Sequence, residues 1–163
     1  MQDVRIDINK TNVYNEVSKT SAYIGSKLMH VDAGSYSRLF VTDEDYLMLE
    51  RFWCEACNVV TDLLKPFIVD VNGTHAMSNS LQIGDNYIVT LLLPDNYDNT
   101  LTSSIENSLH NFFVSAIIGK WFRLAANKEE SETYLTEAGK MLENVRRMLY
   151  HRRKPIRIRP TTN

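Results

Sequence analysis

Apolar residues recur every three or four positions in four long stretches of this chain, and this spacing predicts four helices. The first stretch is weakly hydrophobic, which indicates a helix at the surface of the fold. The third is apolar around much of its circumference, so we expect it to be the central helix, buried from several sides. The predicted helices cover residues 11–29, 43–65, 101–124 and 128–150.

Capping signals support the boundaries of two of these helices. Thr42 is followed three positions later by Asp45, which is the pattern of a capping box at the start of the second helix. Pro66 ends the same helix, because proline lacks the backbone N–H that a helix interior requires. Asn127 has the side chain of an N-cap and precedes the fourth helix.

Two segments rich in β-branched and aromatic residues, Phe67–Val71 and Tyr87–Leu93, are the only strand candidates. They predict a β-hairpin over residues 67–93, between the second and third helices. The polar segment between the strands, Asn72–Asn86, is long enough to be a second contact surface. Because a lone hairpin is marginal in water, it needs either the helices beneath it or strands from another subunit.

These elements define the expected architecture and its core. Residues 1–150 form a mainly α, four-helix bundle-like domain with the β-hairpin inserted, and residues 151–163 form an extended basic C-terminal arm. Large aromatic side chains on the second and third helices are assigned to the core, the usual place for a tryptophan at the end of an apolar helix. The predicted core aromatics are Trp53, Phe112, Phe113, Trp121 and Phe122.

The charge of the chain is divided between an acidic body and a basic end. Seven of the eighteen Lys and Arg residues lie in the last eighteen positions, with no acidic residue among them. Residues 1–145 hold the other eleven basic residues and all twenty acidic ones, so the net charge of −2 conceals a body of charge −9. Like charges this dense gain little from packing on themselves, and they indicate a segment that binds a phosphate backbone or an acidic protein surface.

The arm also carries apolar side chains at regular spacing. Pro155 and Pro160 favour an extended backbone, and isoleucines alternate with positive charges between them. We therefore expect an ordered arm within a complex rather than a solvated tail. The residues predicted to contact the partner are Arg152, Arg153, Lys154, Ile156, Arg157, Ile158 and Arg159.

The sequence offers little support for enzymatic chemistry. It has no Gly-rich phosphate loop after a strand, no GxSxG motif and no P-loop lysine. The acidic cluster Asp43–Asp45 lies at a helix N-terminus, where carboxylates offset the helix dipole. No apolar run approaches the roughly 18 residues that span a bilayer, and the polar N-terminus is not a signal peptide. We expect a non-enzymatic protein with no catalytic residues, cofactor, membrane contact or export by a standard route.

The two cysteines, Cys54 and Cys57, stand one turn apart within the second predicted helix. A structural zinc site needs about four converging ligands, and the four histidines of the chain show no ligand spacing. We interpret both cysteines as reduced helix residues in a cytoplasmic setting and expect no metal site.

Nucleic-acid binding is the alternative function that the basic arm raises. A helix-turn-helix motif requires a short second helix with polar side chains, whereas the third and fourth predicted helices are about twenty residues each. Any DNA contact of a small non-enzymatic protein of this kind would therefore be electrostatic and independent of base sequence. A third hypothesis is an unrelated helical interaction module, which predicts neither DNA binding nor assembly.

The run from Leu101 to Tyr134 contains the most informative pattern: a turn, an apolar helix that ends in Gly119–Phe122, and the polar turn Asn127–Glu130. Together with the long helix and the strand pair before it, this order resembles the head-to-tail connector (adaptor) family of tailed bacteriophages and prophages. The resemblance covers residues 42–134 in pattern, and the Gly-Lys-Trp-Phe motif is its local signature. The chain departs from compact members in its extra N-terminal helix, long fourth helix and long hairpin loop.

The resemblance implies a structural role in the neck of a virion made in a bacterial host. Members of that family assemble as rings, usually twelvefold, beneath the portal of a DNA-filled capsid. They extend the DNA channel and offer a platform for the stopper or tail. Their C-terminal arms commonly reach onto the portal, which would give Arg152–Arg159 a protein partner. The implied partners are the portal protein, a neck or tail (stopper) protein, further copies in a twelve-subunit ring, and genomic DNA bound non-specifically.

Overall fold

The computed structural model describes residues 1–72, 86–125 and 127–154, and it describes residues 70–72 by their backbone alone. Within these residues the chain forms five α-helices and three β-strands, and the predicted mainly α class is confirmed. In chain order the elements are β1 (Gln2–Ile8), α1 (Lys10–Leu28), α2 (Ser35–Leu39), α3 (Tyr46–Leu64), β2 (Ile68–Asn72), β3 (Tyr87–Leu93), α4 (Thr102–Leu124) and α5 (Lys128–Tyr150).

The strands form one antiparallel sheet in the order β1-β3-β2. The first strand pairs along its whole length with β3, from Gln2 opposite Leu93 to Ile8 opposite Tyr87. The second strand lies on the other side of β3, with an irregularity in register just after Ile68. The central strand is therefore β3, and both of its neighbours belong to the same chain.

The expectation that the hairpin supplies the only strands is wrong, because β1 was not predicted. This strand alternates strictly, with Val4, Ile6 and Ile8 buried and the residues between them exposed. Such alternation is typical of a half-buried strand. Here the strand was missed because it has only seven residues and its exposed positions are mostly charged. Since β1 covers one edge of β3, the hairpin does not need strands from another subunit. Residues 73–85 of the predicted loop lie outside the described part of the chain.

The hydrophobic core lies between the sheet and the long helices. Phe113 of α4 is fully buried, and its ring stacks on Trp53 of α3 with centroids 4.5 Å apart. The same ring lies 5.8 Å from that of Tyr87 on β3, so one side chain joins two helices to the central strand. Phe112 and Phe122 are also buried, as the assignment of these aromatics to the core requires. The third predicted helix is the central one, with apolar contacts on several sides.

Trp121 differs from the other predicted core aromatics, because it is only partly buried at the edge of the core. Its ring nitrogen donates a hydrogen bond to the carbonyl of Leu39, 2.8 Å away at the end of α2. An indole needs a partner for its N–H when it is removed from water, and this carbonyl provides it. The side chain therefore fastens α4 to the short α2, an element that the hydrophobic pattern did not reveal.

Local hydrogen bonds explain where the helices begin. The carboxylate of Asp45 accepts from the backbone N–H of Thr42 at 2.9 Å, which is the reciprocal bond of a capping box, ahead of α3. The side chain of Asn127 accepts from the backbone N–H of Glu130 at 3.3 Å and caps α5. Both predicted caps are thus confirmed. Asn9 caps α1 in the same way, accepting from the N–H three residues later.

The antiparallel helices α4 and α5 approach closely at Gly119. A Cβ at this position would lie 2.7 Å from Cγ of Leu135 and 3.2 Å from the Leu135 backbone nitrogen. The hydroxyl of Ser131 donates to the Gly119 carbonyl at 2.7 Å, which adds a polar contact at the same crossing. Next to it, Lys120 forms an ion pair with Glu55 of α3. Each part of the Gly-Lys-Trp-Phe motif therefore has a structural contact within the chain.

We expect Gly119→Ala to lower the free energy of unfolding by about 1–2 kcal/mol, because overpacking outweighs the gain in helix propensity. Gly139→Ala on α5 is the matched control, since no atom lies within 4 Å of a Cβ there. That change should raise stability by about 0.5–1 kcal/mol. Urea unfolding of both variants tests the close contact, and a stabilised Gly119→Ala would contradict it.

Candidate functional site

The basic arm leaves the body beside the turn that connects β3 to α4. Arg152 forms an isolated antiparallel bridge with Tyr97, and the backbone N–H of Arg153 donates to the carbonyl of Asn96 at 2.9 Å. The side chain of Gln2, at the start of β1, donates to the carbonyls of Pro94 and Tyr97 in the same turn. The arm therefore begins at a fixed point at one end of the sheet, which we call the arm root (Arg152 and Arg153).

The arginine side chains of the arm root contact the body as well. The guanidinium of Arg153 donates to Oδ1 of Asp98 from two nitrogens, at 3.1 and 3.3 Å. Two hydrogen bonds from Thr100 and then the Arg153 guanidinium hold the pKa of the Asp98 carboxyl below its ordinary value. Arg152 donates to the carbonyl of Leu149 at 2.7 Å, which satisfies a backbone acceptor at the end of α5.

The predicted contact residues of the arm therefore divide into two that bind the chain's own body and five, from Lys154 onward, for which no such bond is described. Arg152 and Arg153 bind the chain's own turn and helix end, so their first role is structural. Lys154 is exposed. The remaining predicted residues, Ile156, Arg157, Ile158 and Arg159, lie outside the described part of the chain. A candidate partner-binding segment accordingly begins at Lys154.

Asp98→Ala should loosen the arm root and speed tryptic cleavage after Arg152 and Arg153 several-fold at neutral pH, since a pinned backbone resists the protease. Mass spectrometry of the products gives the two rates. Asp62→Ala, at an exposed acidic position of α3, is the control and should leave them unchanged. Acid should loosen the root similarly, but only below the ordinary titration range of a carboxyl, because the pKa of Asp98 is lowered. Equal cleavage in all three proteins would contradict the role of Asp98.

A cavity of about 210 Å³ opens between the first turns of α1 and α3. Its wall is aromatic: the rings of Tyr14 and Tyr46 are tilted against one another with centroids 5.4 Å apart. Leu47 stands on the rim with 64% of its surface exposed. We call this cavity the tyrosine pocket, and the residues that line it are Lys10, Thr11, Tyr14, Asn15, Tyr46, Leu47 and Glu50.

A buried ion pair lies at the tyrosine pocket. Lys10 is 5% exposed, and its ammonium pairs with the carboxylate of Glu50. The hydroxyl of Tyr14 donates to the same carboxylate at 2.8 Å, and the Lys10 nitrogen lies 5.6 Å from the Tyr14 ring centroid. Burial and then the bond to Glu50 raise the pKa of Tyr14, so the phenol stays protonated. The pair thus holds two helices together across an otherwise apolar contact.

An acidic turn immediately precedes the pocket residue Tyr46 along the chain. Asp43 and Glu44 are exposed on this turn. The Lys10 charge is already paired with Glu50, so these two carboxylates are the exposed charges closest to Tyr46 in sequence. The pocket is therefore suited to an apolar side chain that comes with a positive charge beside it.

No local sequence pattern identifies the tyrosine pocket, although one signal points to it. A lysine in the first turn of a helix is disfavoured by the helix dipole, so Lys10 needs a compensating anion. Glu50 lies within the apolar run of α3, where a lone carboxylate is equally unfavourable. The two residues are 40 positions apart, and no local pattern pairs them.

The cysteines on α3 are free thiols, with Cys57 buried and Cys54 partly buried. Burial raises the pKa of both thiols, which makes them weak nucleophiles. In the described ranges, no group of three or more His, Cys, Asp or Glu residues is placed to hold a metal ion. Nor does any helix in those ranges have the length and apolar character needed to cross a membrane.

Comparison with protein-family models, with curated proteins and with solved structures finds no match for this chain.

Lys10→Met should lower the free energy of unfolding by about 3 kcal/mol, because it leaves the carboxylate of Glu50 without its buried counter-charge. The double variant Lys10→Met/Glu50→Leu should regain most of that loss, since it removes both charges and keeps the volume filled. Urea unfolding of the wild type, the two single variants and the double variant completes the cycle. A double variant no more stable than Lys10→Met would contradict the ion pair.

Proposed function

We propose that this chain is a non-enzymatic structural protein of a phage or prophage virion neck. In this role it is a head-to-tail connector (adaptor) that assembles as a ring on the portal. The ring extends the DNA channel and gives the stopper or tail a platform. Its partners are the portal protein, the stopper or tail protein and further copies of itself, with genomic DNA passing through without base-specific contact.

The observation that carries this proposal is the arm root. Arg152 and Arg153 are fixed to the turn after β3, so the basic segment from Lys154 onward is attached to the body at a defined point. A solvated tail needs no such attachment, whereas an element that reaches a neighbouring protein gains from it, because less freedom is lost on binding. Within the arm we assign the portal contact to Arg157 and Arg159.

The distribution of charge supports the same role. Residues 1–145 carry a charge of −9, and the positive charge is concentrated at one end of the chain. Protein surfaces that bind DNA do so by neutralising phosphates with basic groups, so an acidic body around a channel lets the duplex slide instead of holding it. A basic arm on an acidic body thus separates protein attachment from DNA passage.

The order of elements supports the proposal more strongly than the short motif does. A long helix, a strand pair and an apolar central helix follow one another as α3, β2, β3 and α4. The Gly119–Phe122 motif is sufficiently explained by packing within the chain, and β1 supplies the third strand of the sheet. The proposal therefore depends on the element order and the arm, and not on an unpaired hairpin.

Co-sedimentation with DNA-filled, tailless capsids of the encoding phage or prophage tests this function. The full-length chain should bind in stoichiometric amounts, and Arg157→Glu/Arg159→Glu should bind about tenfold or more weakly, since charge pairs at an interface are reversed. Lys19→Glu/Lys140→Glu is the control, because it makes the same change in net charge at exposed positions of the body.

The same three proteins are then mixed with free duplex DNA at two salt concentrations. The connector proposal expects little binding at either. Binding to free DNA that falls steeply with salt, without binding to capsids, would overturn the proposal and favour a sequence-independent nucleic-acid anchor. Binding to neither would favour the helical interaction module.

A further inference from the structure

We propose that the tyrosine pocket binds the Lys154–Ile158 segment of a second copy of this chain. Each subunit would then offer a pocket at one end and an arm at the other. The inference deepens the proposed function and rests on it for the ring, because it assigns the contact that links neighbouring subunits. It concerns the apolar residues of the arm, whereas the portal contact was assigned to its arginines.

The chemistry of the two partners is complementary. In an extended segment, alternate side chains share a face, so Lys154, Ile156 and Ile158 would lie on one side, and Arg157 and Arg159 on the other. The first of these faces presents two aliphatic side chains beside one positive charge. The pocket offers the converse, an aromatic wall of tyrosines with exposed carboxylates on the turn that precedes Tyr46.

The size of the tyrosine pocket agrees with this occupant. Its volume of about 210 Å³ exceeds that of one isoleucine side chain, and its lining is mostly apolar. The exposed Leu47 on the rim would be covered by a second aliphatic residue two positions along the segment. The acidic turn with Asp43 and Glu44 immediately precedes the pocket residue Tyr46, and its carboxylates would attract the ammonium of Lys154.

The geometry of one subunit excludes its own arm as the occupant. The pocket lies at the first turn of α3, whose 19 residues make it about 28 Å long. Just beyond the other end of α3, Phe67 contacts Tyr150 at the end of α5, with ring centroids 5.4 Å apart. The arm root therefore lies at the opposite end of α3 from the pocket.

The reach of the arm is shorter than this separation. Ile156 follows Arg153 by three residues and lies at most about 11 Å from it in a fully extended chain, and Ile158 at most about 18 Å. The strand β1 leads from the turn at the arm root to the pocket, and its seven residues alone extend about 20 Å. Ile156 can therefore enter the pocket of another copy, and not that of its own chain.

A contact between different ends of identical subunits is heterologous, and repeated contacts of that kind close into a ring when the rotation between subunits permits it. A two-fold dimer would instead use the same surface on both copies. The inferred contact is therefore of the type that a connector ring requires.

A fluorescein-labelled peptide with the sequence of residues 154–163 tests the inference against the full-length protein by fluorescence anisotropy. We expect saturable binding that weakens about tenfold or more in Leu47→Lys, which removes an apolar contact on the rim and repels the positively charged peptide. Leu124→Lys is the matched control, since Leu124 is 58% exposed on α4 and lies outside the pocket. A peptide carrying Ile156→Ser and Ile158→Ser, which keeps the charge of the segment, should bind the wild-type protein about tenfold or more weakly.

Three results would overturn the inference: no binding of the wild-type peptide, equal loss in Leu47→Lys and Leu124→Lys, or undiminished binding of the peptide without isoleucines. Thermal unfolding of each variant verifies that the substituted surface has not unfolded the protein. The capsid assay with the wild-type chain separates this inference from the proposed function. If the peptide fails to bind and wild-type capsid binding persists, the pocket assignment falls and the connector proposal stands.

Discussion

The enclosure of α4 is the constraint on which the rest of this structure depends. This helix is apolar on several sides, so other elements must cover it, and it packs against β1, α1, α3 and α5. Phe113 shows how the enclosure works, because its ring is held between Trp53 and Tyr87 and so aligns α3 with the central strand. Once that alignment is set, the first turn of α3 meets α1, and the end of α5 meets the turn after β3. Both candidate contact surfaces follow from it.

Local patterns predicted most of the helical part of this fold. The bounds of α1, α3, α4 and α5 agree with the predicted helices to within about one residue, except that α3 begins three residues later, after the single 3-10 turn Asp43–Asp45. Two caps, at Thr42 and Asn127, were identified because capping involves residues only three positions apart. Tyr150 ends α5 as predicted, four residues before Lys154 and the proline that follows it.

The features that sequence missed are those that depend on distant partners. The strand β1 is defined by its pairing with β3, in which Gln2 lies opposite Leu93. The buried ion pair likewise joins Lys10 to the distant Glu50. In the arm, composition identified a basic segment but could not separate Arg153, which binds Asp98, from residues that face a partner. Composition gives the number of charges in a segment. Which of those charges bind the body, and which remain available to a partner, depends on the acceptors that the fold places beside them.

The two tryptophans of this chain lie in contrasting surroundings. Trp53 is almost fully enclosed, with the Lys10 ammonium 5.9 Å from its ring, whereas Trp121 is partly exposed and hydrogen-bonded to a carbonyl. Indole emission moves to longer wavelength in polar, hydrated surroundings, so we expect Trp121 to emit at longer wavelength than Trp53. The protein therefore carries an intrinsic optical reporter at each place, one beneath the tyrosine pocket and one where α2 meets α4, without any added dye.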